Sequence, residues 1–290
     1  MKTLIGDIEI TCIEEIVLPE ATTLFAQWDD EILARYRDLL VPHCFDPAQN
    51  VFLASIRSYL VKTPSRTILV DTGAGNNKPR PGALRFDNLD TDYIARLKAA
   101  GASPDQVDMV ICTHLHVDHV GWNTRLINDR WVPTFRNATY VFPRIEVDWR
   151  DPLLGAADRP PATQLPFKDS VKPIIDAGMA RLVEGDERLS DEVDLMPVPG
   201  HAPGQMAVRL RSQGKEALII ADVMHQPIQV YFPSWNTKYC EDPVIATQTR
   251  RRVLDYCADH GSLMLPIHFN FPLGGYVTRG AGGFAFTPHV

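Results

Sequence analysis

The stretch ICTHLHVDHVGW, residues 111–122, places three histidines and an aspartate within positions 114–119. It continues the apolar run QVDMV, which is typical of a buried strand. The cluster has two interpretations, a polar loop without chemical consequence or one half of a metal site. The second interpretation predicts further ligands downstream at the ends of other strands, because a rigid sheet presents functional side chains from the loops at its edge.

Polar residues do follow three further predicted strands. His201 lies in PGHAPGQ after the strand EVDLMPVPG, Asp222 ends the hairpin QMAVRLRSQGKEALIIADV, and His268 ends SLMLPIHF. Imidazole nitrogen and carboxylate oxygen are ligands that zinc binds in sites with an open position. Any one of these histidines, taken alone, is more simply interpreted as a structural residue. The whole series predicts a metal site.

Spacing within the first cluster divides it between two ions. In extended backbone, residues two apart project to the same side, so His114 and His116 can hold one ion together. Asp118 and His119 come after the chain turns and face a second ion. The cluster therefore predicts a site for two ions.

Strand and helix patterns alternate along the chain and predict an α/β fold. Residues 51–63 and 66–73 are predicted strands joined by a short turn. Residues 90–101 and 242–261 are predicted helices, each with an aspartate at its start and a glycine at its end.

No linker long enough to separate domains is apparent, so we expect a single domain over residues 1–290. Residues 19–48 look mostly helical and are predicted as an N-terminal lid or a flanking segment. Residues 143–175 are rich in proline and acidic side chains and are predicted as an irregular excursion on the surface.

The composition argues against several classes of protein. No run of about 18 apolar residues is present, so we expect no membrane span. Acidic residues interrupt the N-terminal MKTLIGDIEITC where a signal peptide needs an apolar core, which favours a cytoplasmic protein. The five cysteines include no C-x-x-C pair, which argues against a thiolate zinc site and a disulfide framework. A net charge of −7 argues against a nucleic-acid partner.

Taken in order, these motifs resemble those of the metallo-β-lactamase superfamily, binuclear hydrolases with an αββα sandwich fold. The resemblance covers roughly residues 50–280 and implies two mixed sheets flanked by helices. It implies that Asp71, in a D-T-G turn, supports the metal loop from outside the ligand set. It also implies the seven metal ligands, which are His114, His116 and His201 for the first ion, Asp118, His119 and His268 for the second, and Asp222 between both.

The carboxylate at Asp222 narrows the resemblance, since a cysteine there is typical of the antibiotic-destroying enzymes. IIADVMHQPIQVYFP and the closing PIHFNFPLGGYVTRGAGGFAFTP are most similar to the methyl parathion hydrolase and lactonase branch. This resemblance implies a hydrolase that cleaves a small, mostly apolar lactone or ester with a hydroxide held between two divalent ions. Zinc is the expected metal, with manganese, iron or cobalt as alternatives. A homodimer is expected by analogy alone.

Further site residues follow from the same resemblance. Asp118 would shuttle a proton to the leaving group, and His225 would either donate a hydrogen bond to the substrate or support Asp222. Trp122, near the cleft, and His225, where lactonases commonly have a tyrosine, argue against an acyl-homoserine lactone substrate. Several aromatic side chains are candidates either for the substrate pocket or for plain core. They are Trp122, Phe232, Trp235, Phe269 and Phe271, with Phe25 and Trp28 as candidates for capping the cleft.

Other functions found in the same superfamily stay open at this point. An organophosphate triester hydrolase and a glyoxalase II-like thioesterase use the same ligand set. A sulfur dioxygenase loads a single iron, so a full set of seven ligands favours hydrolysis. The acidic charge disfavours an RNase Z-like nuclease, and the complete ligand set disfavours a catalytically silent binding module.

Overall fold

Two β-sheets lie face to face at the centre of the fold. The computed structural model describes residues 2–154, 161–270, 274–280 and 282–289. Within these ranges, the first sheet contains β1 (Lys2–Ile5), β2 (Ile8–Ala21), β3 (Phe45–Asp46), β4 (Val51–Lys62), β5 (Thr67–Val70), β6 (Met109–Ile111), β9 (Thr139–Pro143) and β10 (Ala180–Val183). The second contains β11 (Glu187–Arg188), β12 (Val193–Pro197), β13 (Met206–Ser212), β14 (Lys215–Ile219), β15 (Leu263–Leu265), β16 (Gly274–Gly280) and β17 (Gly283–His289). A separate hairpin pairs β7 (Thr124–Ile127) with β8 (Arg130–Pro133).

Both sheets mix parallel and antiparallel pairs. In the first sheet, β5, β6, β9 and β10 run parallel, whereas β1, β2 and β4 pair antiparallel. In the second sheet, β14 and β15 run parallel and β12, β13 and β14 pair antiparallel. Functional loops therefore leave the carboxyl ends of β5, β6, β14 and β15 and can meet at one edge of the sandwich.

Alternate residues of the central strands face two different cores. Tyr59 and Val61 of β4 point between the two sheets, whereas Leu60 points to the outer face of the first sheet. The layer between the sheets combines residues from both, such as Val70 of β5 and Leu265 of β15. Because both faces are buried, the strands β5 (TILV), β6 (MVI) and β15 (LML) are nearly continuous hydrophobic runs.

Helices cover the outer faces of both sheets. Leu97 and Val147 pack on the first sheet, and Val253 and Leu254 pack on the second. The αββα sandwich with two mixed sheets, which the resemblance to the superfamily implied, is confirmed. The helices are α1 (Asp30–Arg35), α2 (Arg37–Leu40), α3 (Tyr93–Ala99), α4 (Arg144–Arg150), α5 (Pro161–Pro166), α6 (Lys172–Asp176), α7 (Ile228–Tyr231) and α8 (Pro243–His260), with a π-helical turn at Phe167–Val171 between α5 and α6.

Helix α8 has the ends that the sequence indicated. The Asp242 carboxylate accepts hydrogen bonds from the backbone N–H groups of Val244 and Ile245, and Pro243 occupies the first turn. Gly261 ends the helix in the left-handed conformation, with φ of 60°.

The prediction of irregular structure for residues 143–175 was wrong. The segment contains α4, α5, the π-helical turn and α6, while residues 155–160 lie outside the described part of the chain. Its prolines are compatible with helix because several sit at helix ends: Pro143 directly precedes α4, and Pro173 lies in the first turn of α6.

The N-terminal segment 19–48 is less helical than the sequence suggested. Strand β2 continues to Ala21, and helical residues are confined to the short turn Thr22–Leu24 and to α1 and α2. The segment packs through Phe25 and Leu40 against Ile228 and Trp235. These contacts place Phe25 and Leu40 beside α7. Across the described ranges, every helix is too short or too polar to traverse a bilayer.

Candidate metal centre

The loop after β6 carries four of the predicted ligands. It is a series of bends and turns, so the extended backbone that we assumed for His114 and His116 is not observed. The two imidazoles nevertheless converge, with 3.0 Å between His114 Nε2 and His116 Nδ1. Asp71, at the end of β5, holds the start of this loop. Its carboxylate accepts hydrogen bonds from the Thr113 N–H at 2.7 Å and the Thr113 hydroxyl at 2.8 Å.

His114, His116 and His201 form the first cluster. His201 belongs to the loop after β12, and its Nε2 lies 2.8 Å from His116 Nδ1. One nitrogen from each imidazole falls within 4.8 Å of the others. His114 and His201 are buried, while His116 is partly exposed. The structure thus brings together three imidazole nitrogens from two separate loops.

Asp118, His119 and His268 form the second cluster. His119 Nε2 lies 3.8 Å from Asp118 Oδ1, and His268 Nε2 lies 3.8 Å from Asp118 Oδ2. The remaining predicted ligand, Asp222, lies between the clusters. Its Oδ1 is 3.3 Å from His119 Nε2, and its Oδ2 is 3.3 Å from the Nε2 of His201 in the other cluster.

Hydrogen bonds on the outer side of the imidazoles orient their inner nitrogens. His119 Nδ1 donates to Asp71 at 2.8 Å, and His268 Nδ1 donates to the carbonyl of Ser55 at 2.9 Å. Both contacts place a proton on Nδ1 and turn Nε2 toward Asp222, at 3.3 Å for His119 and 2.9 Å for His268. This is the arrangement in which a histidine binds a metal ion, because the outer partner sets both tautomer and ring orientation.

Electrostatics also favour positive charge in the site. Burial lowers the pKa of His114 and of His201 well below its usual value, which keeps both imidazoles neutral. Burial also opposes protonation of His119, but the carboxylates of Asp222 and Asp71 outweigh it and raise the pKa of His119 well above its usual value. These carboxylates therefore attract a positive charge to this point, as a proton or as a metal ion.

The donor set fits two divalent ions. Ligand atoms bound to one tetrahedral zinc at about 2.0–2.1 Å lie roughly 3.3 Å apart, close to the spacings in both clusters. His119 Nε2 and Asp222 Oδ1 are buried and lack a hydrogen bond of sound geometry within the described ranges. Buried polar atoms without partners are costly, and a cation between them would satisfy both.

A cavity of about 690 Å³ opens onto these clusters. A polar wall is formed by Glu20, Arg85 and Tyr239. The Tyr239 hydroxyl donates to Glu20 at 2.9 Å, and Arg85 forms an ion pair with the same carboxylate. Apolar residues form other parts of the wall, including Leu24 and Ile56. The metal-site residues that line the cavity are His116, Asp118, His201, Asp222, His225 and His268.

The aromatic residues predicted to contact substrate do not line the cavity where the structure describes them. Trp122 is buried, stacks on Tyr93 at 5.3 Å, and donates its indole N–H to the Glu15 carboxylate at 2.6 Å. The other candidates likewise pack in the hydrophobic clusters, and Phe271 lies outside the described residues. The candidates absent from the cavity lining, among the residues described, are Trp122, Phe232, Trp235, Phe269, Phe25 and Trp28.

His225 does lie at the site. Its Nε2 is 3.3 Å from Asp222 Oδ2, and its ring stacks on that of His268 at 5.2 Å. Burial lowers the pKa of His225, which keeps the imidazole neutral. The ring lines the cavity, so both predicted roles, contact with substrate and support of Asp222, are compatible with its position.

Sequence reasoning missed several polar residues around the centre. Glu146 and Arg150 pair on α4 at 2.8 Å, and Arg150 also donates to Glu241 at 2.6 Å. One signal was available, since Glu146 and Arg150 are four residues apart, the spacing of an ion pair on a helix. Glu20 and Tyr239 are 219 positions apart in the chain, and no local pattern links them.

Comparison with known proteins agrees with the geometry of the metal site. Residues 53–268 match the family described as the metallo-beta-lactamase superfamily, which is more than half of the 290 residues. The chain belongs to the metallo-beta-lactamase superfamily. N-acyl homoserine lactonase AiiA of Bacillus thuringiensis subsp. kurstaki is 27% identical over 173 residues, which cover 56% of this chain. The match spans 60% of the length of that curated relative.

Two solved structures share the fold over nearly their whole length. The hydrolase AbOPH superposes with a TM-score of 0.84 at 25% identity, covering 100% of this chain and 97% of AbOPH. AidC, a dizinc quorum-quenching lactonase in complex with a product, superposes with a TM-score of 0.80 at 24% identity, with coverage of 100% and 97%. The likeness to AidC shows the fold.

Proposed function

We propose that this chain is a metal-dependent hydrolase that opens a small lactone or cleaves a related ester. The observation that carries the proposal is the convergence of five histidines and two aspartates beside a cavity of about 690 Å³. Its membership of the superfamily and the lactonase names of its relatives support the same activity. We also propose a single domain, in which residues 19–48 form a fixed flank, because Phe25 packs against Trp235 at 5.7 Å.

The proposed ligands divide between two ions as the sequence indicated. Zinc is the proposed metal, since the donors are imidazole nitrogens and carboxylate oxygens. Two divalent ions bound there would lower the pKa of a water molecule and polarise a carbonyl oxygen of the substrate. The first ion is assigned to His114, His116 and His201, the second to Asp118, His119 and His268, with Asp222 shared.

Asp118 is the proposed proton carrier. It lines the cavity, and its carboxylate faces His119 and His268. Burial raises the pKa of Asp118, but the two neighbouring imidazoles outweigh burial and hold the pKa below its usual value. The group is therefore ionised at neutral pH. It can accept a proton at a carboxylate oxygen and pass it to the leaving alkoxide.

Acyl-homoserine lactones belong among the proposed substrates. The sequence argued against them on two residues, and the structure weakens both arguments. Trp122 is held by Glu15 and Tyr93 and does not line the cavity. His225 lines the cavity and carries a neutral imidazole, so it can donate an N–H to a substrate oxygen in place of a tyrosine hydroxyl.

Metal content and a substrate panel test this proposal together. Elemental analysis of the purified protein is followed by hydrolysis assays with acyl-homoserine and δ-lactones, an aryl ester, a thioester and an aryl phosphotriester. We expect two zinc-like ions per chain and turnover of a lactone or ester, abolished by Asp222→Ala. Asp194→Asn removes the charge of a buried carboxylate that does not line the cavity and should leave turnover unchanged.

Three results would contradict the proposal. A single iron per chain would favour the dioxygenase, and turnover of the thioester or phosphotriester alone would favour those alternative hydrolases. Two bound ions without turnover of any compound would exclude this substrate class.

A further inference from the structure

Helix α4 carries a buried carboxylate that touches both loops of the first cluster. Glu146 is fully buried, and its Oε2 accepts the backbone N–H of Leu115 at 3.2 Å. Its Oε1 accepts the backbone N–H of Gly204 at 2.9 Å. Leu115 lies between two of the predicted ligands, and Gly204 lies three residues after His201. One side chain therefore spans the two loops that deliver the three histidines.

The carboxylate has a fixed charge partner. Arg150, one turn along α4, donates from Nε to Glu146 at 2.8 Å and from a terminal nitrogen to Glu241 at 2.6 Å. Glu241 in turn faces the outer nitrogen of His116 at 3.4 Å and accepts the Trp149 indole N–H at 2.7 Å. These contacts extend the support of the first cluster to the partly exposed His116.

The fit between the helix and the loop is close. A Cβ added at Gly204 would lie 2.9 Å from the backbone nitrogen of Glu146. The absence of a side chain at Gly204 therefore allows the loop of His201 to pack directly against α4. The second cluster has different supports, Asp71 behind His119 and the Ser55 carbonyl behind His268. Loss of the Glu146 contacts therefore leaves the direct partners of His119 and His268 in place.

We propose that Glu146 is a positioning residue for the three-histidine half of the metal centre. It holds the loops of Leu115 and Gly204 at the separation at which His114, His116 and His201 share one ion. The inference rests on the metal site proposed above and is independent of the lactone substrate. Outer partners of metal ligands typically change metal affinity by roughly 10–100-fold when they are replaced.

Cobalt titration of Glu146→Gln tests the inference. The amide keeps the shape of the side chain but can accept hydrogen bonds only at its single oxygen, so at least one loop loses its acceptor. Binding of Co²⁺ is followed by competition with a chelator and by the visible absorption of the bound ion. We expect the parent to bind two ions, and the variant to bind one normally and the other roughly 10–100-fold more weakly.

Asp194→Asn is the matched control. Asp194 is also a buried carboxylate with arginine partners, at 3.0 Å from Arg209, but it lies on β12 and does not line the cavity. It should bind both ions as the parent does. Equal binding of both ions by Glu146→Gln, or equal weakening of both, overturns the inference. A parent that binds fewer than two ions overturns the metal site and this inference together. A parent that binds two ions without lactone turnover overturns only the proposed function.

Amide exchange in the parent protein gives a second test that needs no variant. If Glu146 holds the loops, the hydrogen-exchange rates of the Leu115 and Gly204 amides should differ by less than about threefold between the zinc-bound and the chelated protein. If the metal alone holds the loops, chelation accelerates both amides by about tenfold or more, and the inference fails.

Discussion

Asp71→Asn separates the support of the metal loop from the metal ligands themselves. Asp71 accepts three hydrogen bonds, from the N–H and the hydroxyl of Thr113 and from His119 Nδ1. Asparagine offers one acceptor oxygen, so one buried donor must face the amide N–H₂. If that donor is His119, its proton moves to Nε2 and blocks the nitrogen proposed to bind the metal. Backbone strain is not a confounding factor, because asparagine tolerates the φ of 57° at this position.

The expected loss has two parts. Leaving a buried donor unpaired costs about 1–3 kcal/mol, so the metal-free variant should unfold about 2 kcal/mol more easily. Affinity for one ion should fall by roughly 10–100-fold, which corresponds to about 1.4–2.8 kcal/mol. Urea unfolding of the metal-free protein measures the first quantity, and cobalt competition measures the second.

Asp108→Asn is the control for this experiment. Asp108 lies just before β6, at the end away from the metal loop, and accepts the Thr67 N–H at 2.8 Å. Its replacement should leave metal affinity unchanged. If Asp71→Asn binds both ions with parental affinity, the outer carboxylate does not set the tautomer of His119, and the reasoning is refuted.

Three further substitutions have defined outcomes. Burial lowers the pKa of Lys78 to about 8. Above that pH the unfolded chain therefore binds more protons than the folded chain, and the free energy of unfolding rises as the pH increases. Relative to Lys78→Met in urea unfolding, the parent should gain about 2 kcal/mol between about pH 7.5 and about pH 9.5, and a flat or falling difference contradicts this. In Gly121→Ala, the new Cβ would lie 1.9 Å from the carbonyl carbon of Ala74. The free energy of unfolding should therefore fall by about 3 kcal/mol. An unchanged urea midpoint would argue against this close approach. Trp122→Phe removes the hydrogen bond to Glu15 and should lower the free energy of unfolding in urea by about 1–2 kcal/mol. KM should stay unchanged. A raised KM would indicate that Trp122 contacts the substrate.

Strands, helix α8 and the metal-ligand candidates could be predicted because their signals are local. The apolar run before Thr113 and the spacing of His114 and His116 are visible within a few residues. Asp242 and Gly261 mark the ends of α8 in the same way. The homodimer and the cytoplasmic location stay predictions from the sequence.

The positions of the aromatic side chains could not be predicted from neighbouring residues. Trp122 is adjacent in sequence to the metal loop, yet its ring points into the core because Glu15, 107 positions earlier, accepts its indole N–H. Helix α4 was missed because the prolines around it were interpreted as breakers. Their position at helix ends makes them compatible with helix.

The sequence by itself determined the ligand types, their order along the chain and the α/β class, since hydrophobic periodicity and strand-end motifs are properties of neighbouring residues. The layered sandwich followed only from the resemblance to the superfamily. Asp71 was expected from the resemblance, but only the tertiary structure decided that Glu146 supports the metal site and which side chains line the cavity. Glu146 meets Leu115 across 31 positions and Gly204 across 58, and both contacts exist only after two loops and a helix have packed. A buried carboxylate is retained only where such packing brings donors to it, and the order of the residues does not reveal those donors.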